Sequence, residues 1–185
     1  EWSDTPVTPS SVAKHLGLRK STVSDGVRKL GEQGLVEHKP YGAVELTDTG
    51  RTYAVAMIRR HRLIETFLVE ALGYTWDQVH DEAENLEHSV SDFMVDRIDA
   101  FLDYPSRDPH GDPIPSASGR VDAPEAVPLT GVQPGQKATI ERIADDDPKL
   151  LQFFDSHGLV VGATLEVGEG LSLIHISEPT RRRGI

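Results

Sequence analysis

Residues 79–102 carry the pattern that most restricts how this chain can fold. Apolar side chains recur there at the three- and four-residue spacing of an amphipathic α-helix, which predicts one helix from Val79 to about Leu102. An α-helix turns by about 100° per residue, so four ligand-type side chains share about a quarter of its circumference, beside the apolar arc. The four are His80, Glu84, Glu87 and His88. The arc comprises Val79, Ala83, Leu86, Val90, Phe93, Met94 and Phe101.

Imidazoles and carboxylates that flank a buried surface suit a divalent cation held between this helix and a neighbour. An earlier segment carries a second pair of the same chemistry, because His61 and Glu65 stand four residues apart and would share a helix face. The alternative is a solvated polar face, which is the usual role of His and Glu on a helix. Other polar residues of the 79–102 stretch already supply such a face, and this favours the metal site.

The residue types that are absent narrow the chemistry further. The 185 residues include no cysteine, which excludes disulfides and thiolate metal ligands, so any metal must be held by His and carboxylate. Such ligands favour Mn, Fe, Zn, Co or Ni.

No apolar run approaches the ~20 residues of a membrane span, and no secretion signal is visible. We therefore expect a cytoplasmic protein with no membrane partner.

The net charge of −11 hides an uneven distribution of charge along the chain. Residues 1–62 contain 10 Lys/Arg and 7 Asp/Glu, whereas residues 63–185 contain 9 and 23. A basic first third on an acidic body is what a DNA-contacting domain would need.

Residues 8–32 predict two short helices joined by a tight turn. Thr8 and Pro9 suit the start of the first helix and Gly17 its end, while Ser21 or Thr22 would cap the second. This is a helix-turn-helix pattern, although an ordinary αα-hairpin would look similar. Short polar and basic side chains near the second helix could reach phosphates and base edges: Arg19, Lys20, Ser21, Thr22, Ser24, Asp25 and Arg28.

Two short alternating runs follow, residues 34–39 and 43–46, and predict a β-hairpin. A hairpin after a helix-turn-helix makes a winged helix, with Lys39 and Tyr41 placed to touch the DNA backbone. Thr47 or Asp48 would then cap a long helix that ends near Ala71.

The last third of the chain changes character. Residues 105–126 are rich in Pro, Gly, Ser and Ala, which predicts a linker. A second small domain follows, with short strands at 127–129, 138–143 and 164–167 and a helix at 149–157. Residues 171–185 match no expected element, and we interpret them as a non-native tail joined to a truncated reading frame.

Four segments together resemble one family. They are Leu46-Thr-Asp-Thr-Gly-Arg51, Arg60-His-Arg-Leu-Ile-Glu65, Val79-His-Asp-Glu-Ala-Glu-Asn-Leu-Glu-His88 and Asp108-Pro-His-Gly-Asp-Pro-Ile-Pro115. This combination is similar to the DtxR/MntR family of metal-dependent repressors, over roughly residues 7–168. The final domain is similar to the SH3-like, FeoA-type domain of that family.

The resemblance implies two metal sites. The family's ligands fall on His61, Glu65 and His80 for one site and on Glu84, Glu87 and His88 for the other. Asp146 lies near the position of a further acidic ligand, whereas Lys149 falls where the family has an amide. Glu84 stands where iron-responsive members have a cysteine, and a carboxylate there favours Mn²⁺, with Fe²⁺ as the alternative. The family's first helix, which donates another ligand, would lie before Glu1.

The resemblance also implies an activity and a set of domain boundaries. The chain would be a repressor that binds a palindromic operator as a homodimer when Mn²⁺ is plentiful and so limits metal uptake. The alternatives are an iron-responsive repressor and a metal-independent winged-helix regulator; no motif indicates an enzyme. The predicted parts are a winged helix (1–50), a helical metal-binding and dimerisation domain (51–104), a linker (105–126), a partial SH3-like barrel (127–170) and the tail (171–185). The predicted fold class is mainly α with small β-sheets.

Overall fold

The computed structural model describes residues 6–39, 42–122, 125–145, 147–168 and 174–176. The fold is mainly helical with two small antiparallel sheets, as the sequence predicted. The chain divides into two compact units, Glu1–Met57 and Ile58–Ile185, and the division falls inside one long helix. Among the described helices, none combines the length and the apolar character that crossing a bilayer requires.

The first unit begins with the predicted pair of helices, α1 (Pro9–His15) and α2 (Lys20–Glu32). Thr8 caps α1, since its hydroxyl oxygen accepts a hydrogen bond from the Ser11 amide at 3.1 Å. The predicted cap of α2 was wrong. The helix starts at Lys20, and Arg19 occupies the cap position without a side-chain hydrogen bond, so Ser21 and Thr22 lie inside the first turn.

The hairpin pairs β1 (Val36–His38) with β2 (Val44–Leu46), and Val36 lies opposite Leu46. The next helix, α3 (Asp48–Leu72), follows at once. Thr47 caps it, because its hydroxyl oxygen accepts from the Gly50 amide at 3.0 Å while the hydroxyl donates to the Gly34 carbonyl at 2.7 Å. The start of α3 is therefore fixed to the turn that precedes the hairpin.

The second unit is built on the C-terminal half of α3, with α4 (Val79–Glu87) and α5 (Asp92–Phe101). Two clusters of buried side chains line α3. One joins it to α4: Ile64, Leu68, Val79 and Ala83. The other joins it to α5 and to a later segment: Leu63, Val95, Ile98 and Ile114. Burial of these aliphatic groups is the main force that holds the three helices together.

The prediction of one continuous helix over residues 79–102 was wrong. The helix ends at Glu87 and a new one starts at Asp92, with the Ser91 hydroxyl as N-cap. The apolar arc is therefore split as well. Its first part, Val79 and Ala83, is buried in the core. Its second part is largely exposed on α5: Phe93, Met94 and Phe101.

The stretch predicted as a linker is packed over its first half. Residues 108, 110 and 112–115 are buried, and an antiparallel bridge joins Arg107 to Pro113. The carbonyl of His110 accepts from the Ile143 amide at 2.9 Å, so this segment contacts the chain that follows it. Composition indicated flexibility, but the proline and isoleucine side chains here cover the core instead.

The C-terminal sheet runs in the order β3 (Lys137–Thr139), β4 (Thr164–Val167) and β5 (Ile174–Ile176), with α6 (Pro148–Ser156) between β3 and β4. The strand predicted at 127–129 was wrong, since a short 3₁₀ helix, Leu129–Gly131, begins there. β5 lies beyond the predicted end of the domain at residue 170, so the sheet includes part of the stretch interpreted as a tail. The origin of residues 171–185 stays a prediction.

Candidate metal centre and nucleic-acid interface

Three of the predicted ligands meet where α3 faces α4. The Nε2 atom of His61 lies 3.0 Å from a carboxylate oxygen of Glu65 and 3.3 Å from Nδ1 of His80. That His80 nitrogen lies 3.3 Å from the same Glu65 oxygen. His61 and Glu65 are four residues apart on α3, so they share one face of that helix, and His80 contacts them from the first turn of α4. We name these three residues the α3–α4 group.

The α3–α4 group is held by charge when no cation is present. Burial opposes the imidazolium, but hydrogen bonds and the charges of Glu65 and Glu87 outweigh it and raise the pKa of His61 to about 9. Burial likewise opposes the Glu65 carboxylate, yet hydrogen bonds from His61 and His80 lower its pKa to about 2. The hydrogen bond to Glu65 also raises the pKa of His80. The site is therefore a buried carboxylate paired with protonated imidazole.

The second predicted set is arranged differently from the first. Glu87 turns towards α3, with one carboxylate oxygen 2.8 Å from Nδ1 of His61 and the other 3.4 Å from Nε2 of His88. His88 is exposed at the end of α4, and Glu84 is exposed one turn before it. Among the described residues, these three do not form a cluster with ligand atoms all within 4.8 Å. Their role as one site stays a prediction.

A second cluster shares Glu65 and consists of Glu65, Asp108 and His110, all three buried. The backbone amides of His110 and Asp112 both donate to one Asp108 oxygen at 2.9 Å, which fixes the turn. The His110 ring is fully buried, stacks on Trp76 and places Nε2 2.8 Å from the Trp76 carbonyl. That carbonyl can only accept, so Nε2 must carry a hydrogen.

The remaining nitrogen of His110 makes this cluster fit a cation. Nδ1 is buried without a hydrogen-bond partner and lies 4.0 Å from Glu65. When Nε2 carries the only ring hydrogen, Nδ1 directs a lone pair towards that carboxylate, and a metal ion between the two atoms would bind both. Burial, together with the charges of Glu65 and Asp112, raises the pKa of Asp108 to about 7. Nitrogen and carboxylate donors at this spacing suit Mn²⁺, Fe²⁺ or Zn²⁺.

The C-terminal part of the chain supplies one acidic neighbour. A carboxylate oxygen of Asp145 lies 3.7 Å from Nδ1 of His80. The predicted acidic ligand, Asp146, lies outside the described residues, so its prediction stands untested. Lys149 is exposed in the first turn of α6.

The residues predicted to contact DNA cluster at the start of α2. Val23 is buried, whereas the seven predicted side chains around it are exposed: Arg19, Lys20, Ser21, Thr22, Ser24, Asp25 and Arg28. Arg28 pairs with Glu32 at 2.6 Å, one turn further along the helix. Lys39 is exposed after β1, and Tyr41 lies outside the described residues. Contact of these side chains with DNA stays a prediction.

Sequence reasoning missed three residues of the centre: Asp108, His110 and Asp145. The first two lie in the stretch predicted as a linker, and none of the three was among the predicted ligands. The signal that could have found them was the density of ligand-type residues around a glycine in Asp108-Pro-His-Gly-Asp112. Gly111 takes a positive φ of 88°, a conformation that glycine adopts readily, and this allows the tight turn.

Family models account for most of the chain. Residues 1–44 match the N-terminal DNA-binding domain of iron-dependent repressors, and residues 47–116 match the metal-binding and dimerisation domain. Residues 127–175 match the FeoA domain. The second model ends after the buried 108–115 segment, which agrees with its packing against α3.

Individual proteins agree with the family models. The chain is 32% identical over 176 residues to the iron-dependent repressor IdeR of Mycobacterium leprae, covering 87% of this chain and 76% of that protein. It is 30% identical to the diphtheria toxin repressor of Corynebacterium glutamicum, covering 84% and 73%.

Solved structures resemble the chain as well. A manganese-dependent transcriptional repressor in complex with manganese has a TM-score of 0.90 and 49% identity, covering 97% of this chain and 85% of that one. The chain belongs to the DtxR family of metal-dependent transcriptional repressors.

Proposed function

We propose that this chain is a manganese-sensing repressor that binds a palindromic operator as a homodimer and limits metal uptake. The observation that carries the proposal is the donor chemistry around Glu65. Two imidazoles lie within 3.3 Å of one of its oxygens, and a third buried imidazole faces the other at 4.0 Å. The sequence contains no cysteine, so nitrogen and carboxylate oxygen are the ligands on offer. The similarity to a manganese-dependent repressor supports the same metal.

The proposed metal ligands fall into three sets. The α3–α4 group would hold one ion with help from Asp145 or Asp146. Glu84, Glu87 and His88 would hold another. Asp108 and His110 would extend the first set on the far side of Glu65. A bound cation would supply positive charge beside the carboxylates and would replace the proton that His61 carries on the nitrogen facing Glu65.

Cation binding would change the contacts between α3 and α4. Without a cation, His61 holds Glu65 and Glu87 together by donating from both ring nitrogens. A cation held at Nε2 would take the place of the proton there, Nδ1 would keep its hydrogen bond to Glu87, and α3 and α4 would be joined through the ion. The favoured arrangement would space the two recognition helices of a dimer by about one DNA turn, ~34 Å. Such a repressor acts on chromosomal DNA and hence in the cytoplasm.

The exposed apolar side chains of α5 support the homodimer. Phe93 is 75% exposed and Phe101 68%, and these two residues stand eight positions apart, on one side of the helix. Large apolar side chains exposed together mark an interaction surface. A second copy of the chain would cover them.

The direct experiment titrates the chain with Mn²⁺ or, anaerobically, Fe²⁺ while a labelled palindromic DNA is followed by fluorescence anisotropy. We expect Mn²⁺ to promote binding at lower concentration than Fe²⁺. Stronger promotion by Fe²⁺ would favour the iron-responsive alternative. Equal binding with EDTA would favour a metal-independent winged-helix regulator and overturn the proposal.

A single substitution tests the metal preference. Glu84→Cys replaces a hard oxygen donor with a softer thiolate and should shift the response towards Fe²⁺. Glu82→Cys, two residues earlier on α4, is the matched control and should leave the ranking of metals unchanged. An unchanged ranking in Glu84→Cys would show that Glu84 does not set the metal preference.

A further inference from the structure

The break between α4 and α5 has to be stabilised, because helical periodicity continues across it. After Glu87, the amides of Ser89 and Val90 both bond to the Leu86 carbonyl, at 2.8 and 3.0 Å. The carbonyls of Glu87 and Val90 lie at and just after the C-terminal end of α4. Carbonyls at a helix end lack partners inside the helix and need donors from elsewhere.

One side chain from α3 supplies those donors. Nη1 of Arg60 donates to the Glu87 carbonyl at 3.0 Å and to the Val90 carbonyl at 2.8 Å, and Nη2 pairs with the Asp92 carboxylate in the first turn of α5. A guanidinium presents several donors in a fixed plane, so it can hold three acceptors at once. Its charge also suits the C-terminal end of α4, where the helix dipole is negative.

Arg60 and its neighbour His61 both bind Glu87. Arg60 binds the backbone carbonyl of Glu87, whereas His61 binds the Glu87 carboxylate at 2.8 Å. The described contacts of Arg60 are to two backbone carbonyls and to Asp92, with none to a ligand side chain. Its action on Glu87 and His88 would therefore pass through the backbone.

We propose that Arg60 is a positioning residue of the metal centre: it fixes the backbone of residues 87–90 and thereby aims the Glu87 and His88 side chains. This inference rests on the proposed metal-binding role of those two residues. The bonds to the carbonyls carry the effect. Asp92 contributes little, because its side chain is 91% exposed and exposed ion pairs are weak.

The test compares three variants of the full chain. Arg60→Met keeps most of the aliphatic stem and removes every donor, and Arg60→Lys keeps the charge with a smaller donor group. Asp92→Asn weakens the ion pair and leaves both carbonyl bonds intact. Two measurements are made on each variant: amide hydrogen exchange of residues 88–92 in EDTA, and Mn²⁺ affinity from the EPR signal of the free ion.

We expect Arg60→Met to speed exchange at residues 88–92 and to weaken at least one class of Mn²⁺ site by 10-fold or more. Arg60→Lys should recover part of that affinity, and Asp92→Asn should stay within about twofold of the unmodified chain. Ser91→Ala serves as a control for general damage, because it removes the α5 cap without touching Glu87, and it should also stay within about twofold.

The other outcomes would overturn either the positioning role of Arg60 or the proposed metal function. Unchanged Mn²⁺ affinity in Arg60→Met, with binding by the unmodified chain intact, overturns the positioning role alone. An equal loss in Ser91→Ala reduces Arg60 to a structural residue and overturns it too. Absence of Mn²⁺ binding by the unmodified chain overturns the proposed metal function and this role with it. If Arg60→Met fails to fold, the test rests on Arg60→Lys. The proposal is rejected if folded Arg60→Lys shows faster amide exchange at residues 88–92 but keeps the Mn²⁺ affinity of the unmodified chain.

Discussion

Nδ1 of His61 lies 2.8 Å from a carboxylate oxygen of Glu87, and this contact joins the two predicted ligand sets. His61 belongs to the α3–α4 group, whereas Glu87 was assigned to the other site. With no cation bound, one protonated imidazole thus bridges Glu65 and Glu87. A cation held at Nε2 of His61 would replace the contact with Glu65 and leave Nδ1 to donate to Glu87, so Glu87 would orient the imidazole ring.

The first prediction concerns the stability of the metal-free chain against pH. The pKa of His61 is raised from 6.5 to about 9, so its stabilising contribution is complete below pH 6.5 and is lost as pH rises through 9. We expect the free energy of unfolding in EDTA to fall on the order of 2 kcal/mol between pH 7.5 and 9.5. Urea denaturation at the two pH values measures this loss.

His61→Gln should flatten that dependence, because the titrating group is gone. His15→Gln, at an exposed histidine on α1, should preserve it. A wild-type stability that is constant over this interval would show that the imidazolium is not what holds the two carboxylates.

The second prediction concerns Glu65, which is 1% exposed and shared by both ligand clusters. Glu65→Gln removes the negative charge and one oxygen donor, so Mn²⁺ affinity should fall at least about 10-fold. The metal-free chain should also lose roughly 1–3 kcal/mol at pH 7, because protonated His61 loses its buried partner. Calorimetric titration and urea denaturation give the two values.

Glu70→Gln is the matched control, since Glu70 is exposed on the same helix. It should leave both affinity and stability near the wild-type values. Retention of wild-type Mn²⁺ affinity in Glu65→Gln would contradict the assignment of Glu65 as a shared ligand.

The third prediction concerns Gly111, at the tip of the turn that carries His110. A Cβ atom here would overlap the Glu141 carbonyl oxygen, and φ is +88°. Gly111→Ala should therefore cost more than the roughly 1–2 kcal/mol of a left-handed alanine alone. Gly162 provides the comparison, because its φ is +84° with nothing within 4 Å of the added Cβ. If thermal denaturation gives equal costs for the two alanines, the turn does not press against residue 141.

The fourth prediction concerns Lys20, exposed as the first residue of α2. If it contacts a phosphate, Lys20→Ala should weaken DNA binding uniformly across sequences and reduce the slope of log K against log salt by about 1. Lys149→Ala removes the same charge from α6 and should leave the slope unchanged. Anisotropy titrations at several salt concentrations, with Mn²⁺ present, measure both slopes.

Local signals were sufficient where the structure depends on neighbours in sequence. Thr8 and Pro9 predict the start of α1, and the four-residue spacing of His61 and Glu65 predicts that they share a face. These features follow from helix geometry and capping, which act over a few residues.

Long-range contacts decided what the sequence could not predict. At the break after Glu87, the carbonyl of that residue accepts a hydrogen bond from Arg60, which is 27 residues earlier in the chain. Ser91 is a residue type that commonly caps helices, and the prediction of one continuous helix did not use this local signal. Likewise, His110 is buried because Trp76 stacks on it from 34 residues away, and composition around position 110 indicates only a loop.

The contacts of the 107–113 segment with residues 141–143 have an energetic consequence for cation binding. Arg107 lies 3.0 Å from Glu141, Arg142 lies 2.7 Å from Asp112, and the Ile143 amide binds the His110 carbonyl. No atom of His61, Glu65 or His80 takes part in these three contacts. These contacts hold the chain just before Asp145, whose carboxylate lies 3.7 Å from His80. The entropy of ordering Asp145 is therefore lost when the chain folds, and cation binding does not have to order this side chain.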